Sequence, residues 1–408
     1  MRKIFTSIDI GTNEIKVVTV EEFNDRFNVL ASSSVKSTGV KQGLIVDANL
    51  VSSSIKKAIK DNESKLGVKI EETIAIVPSN NMEICMRHGK VNVHDDMITG
   101  DIIFDCMENA LKEEKVAGME VANVSPIEFR IDESKKVKNP LGLSGKCLES
   151  KNIVCYVPKK NVYSVISIIE SLNIKVVDIV ISSIGDYYSV KNKELDERVG
   201  AIVNIGEDKS VVSIFNKGII MSENIIPIGS SMIDKELIFN YKIEDSEAIK
   251  IKNTFAVASR KYADGEETYE FVNRVGNEVS INQYQLAELV ETKLVEMLKS
   301  IKNEINNLTK REINYIIVTG GITSMLGFSS LVEELYGRHS SVLSLSVIGI
   351  RNNKYSTVYG SVKYFNEKLN LREKDYTMFS EEKINELTQV RRKIGAGSVL
   401  GKIFKIFD

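Results

Sequence analysis

The chain has 408 residues, 43% of them hydrophobic, so it has material for more than one core, since single cores stop growing well below that length. The 54 basic and 56 acidic residues nearly balance at a net charge of −2, so no overall positive field favours nucleic acid as a partner. No run of 18 apolar residues occurs, and Thr6, Ser7 and Asp9 interrupt any signal-peptide core, so we expect a soluble body.

Cysteine and histidine usage argues against a disulfide framework and against a metal centre. The cysteines are widely separated and form no Cys-X-X-Cys pair, and the histidines have no metal-ligand spacing. We therefore expect reduced, structural cysteines in a cytosolic protein. The residues concerned are Cys85, Cys106, Cys147 and Cys155, with His88, His94 and His339.

The first elements are two β-rich runs, Ile4 to Ile10 and Ile15 to Val20, separated by Gly-Thr-Asn-Glu at 11–14. Gly and Asn tolerate positive φ, so this composition predicts a tight hairpin. Its backbone N–H groups and hydroxyl could hold phosphate oxygens, and the nearby Asp9 carboxylate could take a hydrated Mg²⁺. From these residues alone, an ordinary hairpin whose Asp caps its own turn is the favoured interpretation.

An α/β pattern follows the hairpin. It predicts a third strand from Arg26 to Lys36, a glycine-punctuated loop from Gly39 to Asp47, a helix capped by Asn49, and a buried strand from Glu72 to Pro78.

The order of elements changes between Ile84 and Pro158. A helix from Ile98 to Glu114 and strands from Val121 to Ile131 and from Asn152 to Val157 predict a small inserted α+β domain.

The α/β pattern then resumes. We predict a helix from Asn161 to Leu172, a strand from Val176 to Ile181 and a helix from Ser183 to about Leu195.

A second strand-turn-strand runs from Ala201 to Phe215, with its turn at 206–209. The recurrence of a glycine-containing hairpin in the second half of the chain is what a duplicated fold requires.

Three further segments complete the body. A helix from Ser246 to Asn253 precedes a long amphipathic helix from Asn282 to Asn307. An apolar strand from Ile313 to Val318 then runs into Gly320-Gly321 and a helix to about Leu335. Paired glycines between a buried strand and a helix let a ligand approach the backbone closely.

Together these pieces resemble the FtsA family of actin-like bacterial cell-division proteins, over essentially the whole chain. Besides the nucleotide segments, the resemblance rests on motifs at 39–47, 125–129, 139–149 and 226–229, and on the position of the insertion.

The resemblance implies an α/β, actin-like ATPase fold of two duplicated halves around a nucleotide cleft, with the FtsA-type inserted domain 1C. The implied division is 1–83 with 159–195 as domain 1A, 84–158 as domain 1C, 196–238 with 310–365 as domain 2A, 239–309 as domain 2B, 366–396 as a flexible linker and 397–408 as a terminal helix.

The resemblance also implies ATP and Mg²⁺ as cofactors, with Asp9 toward the metal. The residues that correspond to nucleotide contacts in the family are Asp9, Gly11, Thr12, Asn13 and Lys16 in the first loop, Asn204, Gly206 and Ser210 in the second, Gly320, Gly321 and Met325 in the adenosine segment, and Glu247 with Lys250 beside the base and ribose.

Two departures from the family argue against efficient hydrolysis. The family's acidic Asp-Ile-Gly-Gly-Gly-Thr-Thr is replaced from Asn204 onward by Asn-Ile-Gly-Glu-Asp-Lys-Ser, and a Glu-Pro pair that can orient water is replaced by Ser182-Ser183. We therefore assign no catalytic residue and expect weak ATP binding with slow or absent turnover. A shifted alignment, in which Asp208 supplies the missing acid, is the alternative.

The end of the chain is predicted to form a flexible tether followed by an amphipathic helix. Residues 366–393 are charge-rich with few large apolar residues. The segment after Gly395-Ala396-Gly397 combines an apolar face with flanking lysines, which is typical of a helix on an anionic membrane surface. Docking on this protein's own body or on a partner is the alternative. The predicted membrane-binding residues are Val399, Leu400, Lys402, Ile403, Phe404, Lys405, Ile406 and Phe407.

The family implies a peripheral protein on the cytoplasmic face of the membrane at the division septum. It would form actin-like filaments with itself, bind the FtsZ C-terminal tail and meet other division proteins, with Lys299 and Lys302 on the long helix as candidates for the acidic tail. A solvated helix face is the favoured interpretation of each of these lysines when it is taken singly. A PilM-like homologue serving a pilus, or a sugar-kinase or Hsp70-type ATPase, are the competing interpretations.

Overall fold

Two five-stranded sheets with the same strand order organise the molecule, as seen in a computed structural model that describes residues 2–94, 97–112 and 116–387. The first half opens with a β-meander, as its alternating apolar residues predict. Its elements are β1 (Lys3–Ile10), β2 (Glu14–Phe23), β3 (Arg26–Lys36), the short β4 (Val40–Lys41) and β5 (Leu44–Ile45), α1 (Ala48–Leu66) and β6 (Glu72–Val77).

A separate four-stranded sheet interrupts the first half, with one helix packed against it. The strand order is β7-β10-β8-β9, and the small core beneath the helix includes Cys106, Phe129 and Leu148. The elements are β7 (Glu83–Asn92), α2 (Gly100–Asn109), β8 (Met119–Ile131), β9 (Lys135–Val137) and β10 (Cys147–Pro158).

The second half follows the return of the chain to the first sheet. The returning elements are α3 (Lys159–Glu170), β11 (Lys175–Ile181) and α4 (Ser182–Val190). The second half contains β12 (Val199–Ile205), β13 (Ser210–Asn216), β14 (Ile219–Ile226), α5 (Ser231–Tyr241), α6 (Asp245–Thr254), β15 (Thr268–Val272), β16 (Glu278–Asn282), α7 (Gln283–Leu308), β17 (Tyr315–Thr319), α8 (Phe328–Tyr336), β18 (Ser340–Val342) and α9 (Ser356–Leu371).

The two large sheets repeat one topology. Their orders are β3-β2-β1-β6-β11 and β14-β13-β12-β17-β18, with three antiparallel strands followed by two parallel ones in each. One apolar cluster surrounds the first sheet and extends onto one face of the second, and another packs against the opposite face of the second sheet. The repeated strand order shows that the molecule consists of two similar halves. This is the duplication that the second glycine-containing hairpin predicts.

Helices α4 and α9 cross in close contact and connect the halves. A Cβ added to Gly360 would lie 1.8 Å from the carbonyl oxygen of Gly185, so the two backbones touch at a point where no larger residue fits. Helix α4 also contacts β12 of the second half, while α9 contacts β1, β2 and β6 of the first.

Several predicted boundaries differ from the structure. The cap of α1 is Asp47, whose carboxylate accepts from the N–H groups of Asn49 and Leu50, rather than Asn49 itself. Helix α2 starts after Thr99, which caps it, and is shorter than predicted at both ends. Strand β7, with its exposed alternation of polar and apolar residues, has no counterpart among the predicted elements.

The prediction of a flexible linker at 366–396 is wrong for most of the residues in this range that the structure describes. Helix α9 continues to Leu371, and residues 381–387 are also helical. Between them, the N–H of Met378 donates to the carbonyl of Ile4 at 3.0 Å, and Phe379 is 3% exposed. A few apolar residues among many charges are therefore enough to dock this segment onto the first half.

The predicted membrane helix at 397–408 and the end of the linker lie outside the described residues. Within the described ranges, no helix is both long and apolar enough to cross a membrane.

Candidate nucleotide site

Two matching turns face each other where the halves meet. In the β1–β2 turn the N–H of Gly11 donates to the carbonyl of Glu14 at 3.1 Å, and in the β12–β13 turn the N–H of Gly206 donates to the carbonyl of Lys209 at 2.9 Å. Both glycines lie close to the carbonyl that closes their turn, so each turn depends on the absence of a side chain there.

A cleft of about 720 Å³ lies between these turns, which is within the usual range for small-molecule sites. It is lined by ten of the predicted nucleotide residues: Asp9, Gly11, Thr12, Asn13, Lys16, Asn204, Gly206, Gly320, Gly321 and Met325. Segments that are far apart in sequence therefore meet at one site.

Three other predicted nucleotide residues do not line the cleft. The Ser210 side chain is buried and donates to the carbonyl of Ile228 at 2.7 Å, so it supports the turn from behind. Glu247 accepts from the Tyr269 hydroxyl at 2.7 Å, and Lys250 lies 3.9 Å from Glu247 on an exposed face of α6. The cleft instead receives later residues of that helix, including Lys252.

In the first turn, the Asp9 carboxylate is paired with Lys16 at 2.8 Å. Burial alone would lower the pKa of Lys16, but the charge and hydrogen bond of Asp9 outweigh it and raise that pKa above its ordinary value. The Thr12 hydroxyl accepts from the N–H of Gly43 at 2.9 Å, so the 39–47 motif folds against this turn.

The second turn separates its two acidic residues. Glu207 lines the cleft, where its carboxylate accepts from the Ser230 hydroxyl at 3.1 Å and lies 3.8 Å from the Lys252 ammonium. Asp208 accepts from the Ser231 hydroxyl and lies outside the cleft lining. The alternative in which Asp208 supplies the missing acid is therefore wrong, because its carboxylate turns away.

The 226–229 motif supports the second turn through the backbone. A Cβ on Gly229 would lie 2.3 Å from the carbonyl oxygen of Glu207, and the N–H groups of Ser230 and Ser231 donate to the carbonyls of Gly206 and Glu207. This contact accounts for a motif that lies outside the cleft itself.

A buried carboxylate that the sequence analysis missed lies directly behind Asn204. The Asn204 amide donates to Asp186 on α4 at 2.6 Å, and the hydroxyls of Ser356 and Thr357 donate to the same carboxylate at 2.6 and 2.8 Å. Asp186 is 2% exposed, and burial raises its pKa to about 6 despite these hydrogen bonds, with Asp9 adding to the rise. Helix α4 thus brings an acid to the position where the family's loop carboxylate is replaced by an amide.

Lys209 is a second missed residue, and it lies in the cleft between the halves. Its ammonium donates to the Asn80 side-chain oxygen at 2.7 Å, so it spans from the second half to the loop after β6. Burial lowers its pKa to about 8, against the opposing charges of Glu223 and Asp9. Nothing in the spacing of the sequence marks this lysine, because the family resemblance expects a threonine there.

The paired glycines after β17 have different roles. Gly320 has φ +110°, and a Cβ there would lie 2.1 Å from the carbonyl oxygen of Ile205. Gly321 faces open space in the cleft, with nothing within 4 Å of where a Cβ would stand. The first glycine is required by the contact between β12 and β17, and the second leaves room for a ligand.

The remaining cleft residues come from segments that carry no recognisable motif. Lys354, just before α9, pairs with Glu14 at 2.8 Å. Residues 252–257 after the middle of α6 and Gln283 at the start of α7 complete the lining of the second half. These residues are identified as part of the site only from the folded structure.

The two lysines proposed for a partner lie on α7, away from the cleft. Lys299 is exposed, whereas the Lys302 ammonium donates to the carbonyl of Leu335 at 2.7 Å. Lys302 therefore has a structural contact that ties α7 to the end of α8.

Two family models match the chain in complementary regions. The SHS2 domain inserted in FtsA matches residues 80–156, and the cell division protein FtsA matches residues 201–360.

Individual relatives agree with these matches. The cell division protein FtsA of Streptococcus pneumoniae is 26% identical over 359 residues, covering 87% of this chain and 78% of that protein. The PilM–PilN type IV pilus biogenesis complex is similar with a TM-score of 0.59 at 11% identity, covering 90% of this chain and 98% of that one. MreB5 of Spiroplasma citri bound to ADP has a TM-score of 0.55 at 11% identity, with the same coverage. The fold is thus the actin-like α/β fold with an SHS2 insertion.

Proposed function

Because the chain belongs to the FtsA family of cell division proteins, we propose that it is an ATP-binding cytoskeletal adaptor that forms actin-like filaments and tethers FtsZ to the cytoplasmic membrane at the division site. The observation that carries this proposal is the pair of facing glycine turns around one cleft, in a chain with the FtsA-type insertion.

ATP is the proposed ligand of the cleft. The turns offer backbone N–H groups and the Thr12 hydroxyl to phosphates, and the open space beside Gly321 admits a ligand close to the backbone. A relative of the same fold, MreB5, has been solved with ADP, which favours an adenine nucleotide.

Hydrolysis is proposed to be slow or absent. Ser182 lines the cleft at the start of α4, and its hydroxyl is a poor substitute for a carboxylate in polarising water. Asn204 already commits its amide to Asp186, so neither residue is available as a general base. A phosphate-release assay tests this point, and turnover in the usual enzymatic range of about 1 s⁻¹ or more would contradict it.

The membrane contact is proposed for the terminal segment that carries Lys402, Phe404 and Phe407. Each large apolar side chain and each nearby cation contributes on the order of 1 kcal/mol on anionic lipid, so a single copy binds modestly and a filament binds by avidity. Sedimentation with anionic vesicles should recover the whole chain but not a chain cut after Lys393. Equal recovery of both would remove the tether from the proposal.

The FtsZ tail is proposed to bind the α7 face that presents Lys299, through attraction between its ammonium and an acidic peptide. Other division proteins and further copies of the chain are the remaining proposed partners.

A pilus adaptor of the PilM type is the second candidate, because the PilM–PilN complex is similar in fold over 90% of this chain. The FtsA-type sequence matches favour the division role. Binding of an FtsZ tail peptide separates the two.

A further inference from the structure

Among the charged side chains that line the cleft, each carboxylate lies near an ammonium group, and one ammonium group has no carboxylate partner in the lining. Its carboxylates are Asp9, Glu14 and Glu207, and its ammonium groups are Lys16, Lys209, Lys252 and Lys354.

Every cleft carboxylate already has an ammonium partner. Lys16 lies 2.8 Å from Asp9, and Lys354 lies 2.8 Å from Glu14. The third carboxylate, on the second turn, accepts from the Ser230 hydroxyl and lies 3.8 Å from Lys252, which also pairs closely with the buried Asp234 carboxylate outside the cleft lining.

This arrangement does not fit a bound Mg²⁺. The ion prefers carboxylate and water oxygens in near-ideal octahedral geometry, and here it would compete with an ammonium group for Asp9. The amide nitrogen of Asn204 donates a hydrogen bond to Asp186, and a donor N–H group is not a ligand for Mg²⁺.

Lys209 is the cleft lysine whose partner is an amide. Among the described residues, its ammonium contacts the Asn80 oxygen at 2.7 Å and has no carboxylate within 4 Å. It stands on the second turn, and a Cβ on Gly43 would lie 2.6 Å from its Nζ, so the ammonium sits under the loop that folds against Thr12 of the first turn.

We propose that Lys209 binds the nucleotide phosphates directly and that adenine-nucleotide binding in this cleft does not require Mg²⁺. This inference rests on the proposed nucleotide role of the cleft. The ammonium supplies the positive charge between the two turns that a metal ion would otherwise supply, and exchanging an amide partner for a phosphate oxygen leaves no carboxylate unpaired.

The inference also accounts for the unusual second turn. Acidic residues at 207 and 208 would repel a triphosphate, but Glu207 accepts from Ser230 and lies 3.8 Å from Lys252, which it shares with Asp234, and Asp208 accepts from Ser231 outside the cleft lining. The lysine that follows them places an ammonium group, whose contact is an amide oxygen, in the cleft where the phosphates would lie.

The test is calorimetric titration of the whole chain with ATP, in Mg²⁺ and in EDTA. We expect the wild-type dissociation constants in the two buffers to agree within about threefold. Lys209→Gln keeps an amide that can reach Asn80 but loses the charge, and should weaken binding about 10- to 100-fold in EDTA, as expected for a hydrogen bond between charged groups.

Two further variants serve as controls. Lys209→Arg keeps the charge and should keep most of the affinity in EDTA. Lys193→Gln removes an exposed lysine outside the cleft and should leave binding unchanged. Unchanged melting temperatures establish that the variants are folded.

The outcomes separate this inference from the nucleotide role itself. Wild-type binding that is lost in EDTA would overturn the inference and leave ATP binding in place. Equal affinity of Lys209→Gln and wild type in EDTA would overturn it too. If ATP fails to bind in either buffer, both this inference and the proposed nucleotide role are wrong.

Discussion

Asn204→Asp, which restores the acidic residue of the family's second loop, should destabilise this protein. The Asn204 amide donates to the buried Asp186 carboxylate at 2.6 Å, and the substitution turns that donor into a second carboxylate. Losing a hydrogen bond to a charged group costs about 1.5–3 kcal/mol, and two touching carboxylates must also take up a proton. We expect a total loss of about 3 kcal/mol in the free energy of unfolding at pH 8, or roughly 6–12 °C in melting temperature.

The loss should depend on pH in a definite direction. Wild-type Asp186 has its pKa raised to about 6, above the unfolded value of about 3.9, so the folded protein binds more protons between those values. Its contribution to stability is therefore present at low pH and is lost as the pH rises through about 4 to 6. A second carboxylate extends this window upward, so the variant should be closer to wild type at pH 5 than at pH 8.

A double-mutant cycle isolates the pair. Exchanging the residues, as Asp186→Asn with Asn204→Asp, restores one carboxylate and one amide and should recover most of the stability at pH 8. Thermal unfolding of the two single variants and the exchanged variant, at both pH values, measures the coupling. A single Asn204→Asp variant as stable as wild type at pH 8, or an exchanged variant no better than the single one, would refute the reasoning.

Three other substitutions test separate parts of the structure. Gly320→Ala should cost at least about 2 kcal/mol because its methyl group would lie 2.1 Å from the Ile205 carbonyl oxygen, whereas Gly321→Ala should leave the melting temperature within about 2 °C; equal effects would contradict the assigned contacts. Phe379→Ala should cost about 3–5 kcal/mol and expose the docked segment to limited proteolysis, and an unchanged digestion pattern would argue against docking. Lys299→Glu should weaken an acidic FtsZ tail peptide about three- to tenfold in fluorescence anisotropy at constant stability, and unchanged affinity would remove this lysine from the partner surface.

Local patterns predicted the elements that repeat along the chain. The third strand runs from Arg26 to Lys36 as its composition indicates, and the β1–β2 and β12–β13 hairpins form where they are predicted. Gly11 and Gly206 do not adopt positive φ, however, and are favoured instead because each lies close to the carbonyl that closes its turn. These features depend on neighbours in sequence, so residue spacing is sufficient to find them.

The cleft chemistry could not be predicted in the same way, because it depends on which elements cross. Asp186 reaches Asn204 because α4 packs against β12, and the close approach of α4 to α9 brings Ser356 and Thr357 to the same carboxylate. Lys209 stands out in the cleft only because each cleft carboxylate has another lysine beside it. These pairings cannot be read from any short stretch of the sequence.

The docked segment after α9 illustrates a different limit. Its high charge is typical of a linker, yet Met378 and Phe379 bury enough apolar surface against the first half to order it. Composition is averaged over a stretch of sequence, so it does not reveal two apolar side chains that pack against the first half.

The most direct test of the central claim is reconstitution with three components: FtsZ filaments, anionic vesicles and the whole chain in the presence of ATP. The proposed adaptor role predicts that FtsZ sediments with the vesicles when the whole chain is present, and that it stays in solution when the chain is omitted or cut after Lys393. FtsZ that remains in solution with the whole chain and ATP present would contradict the claim.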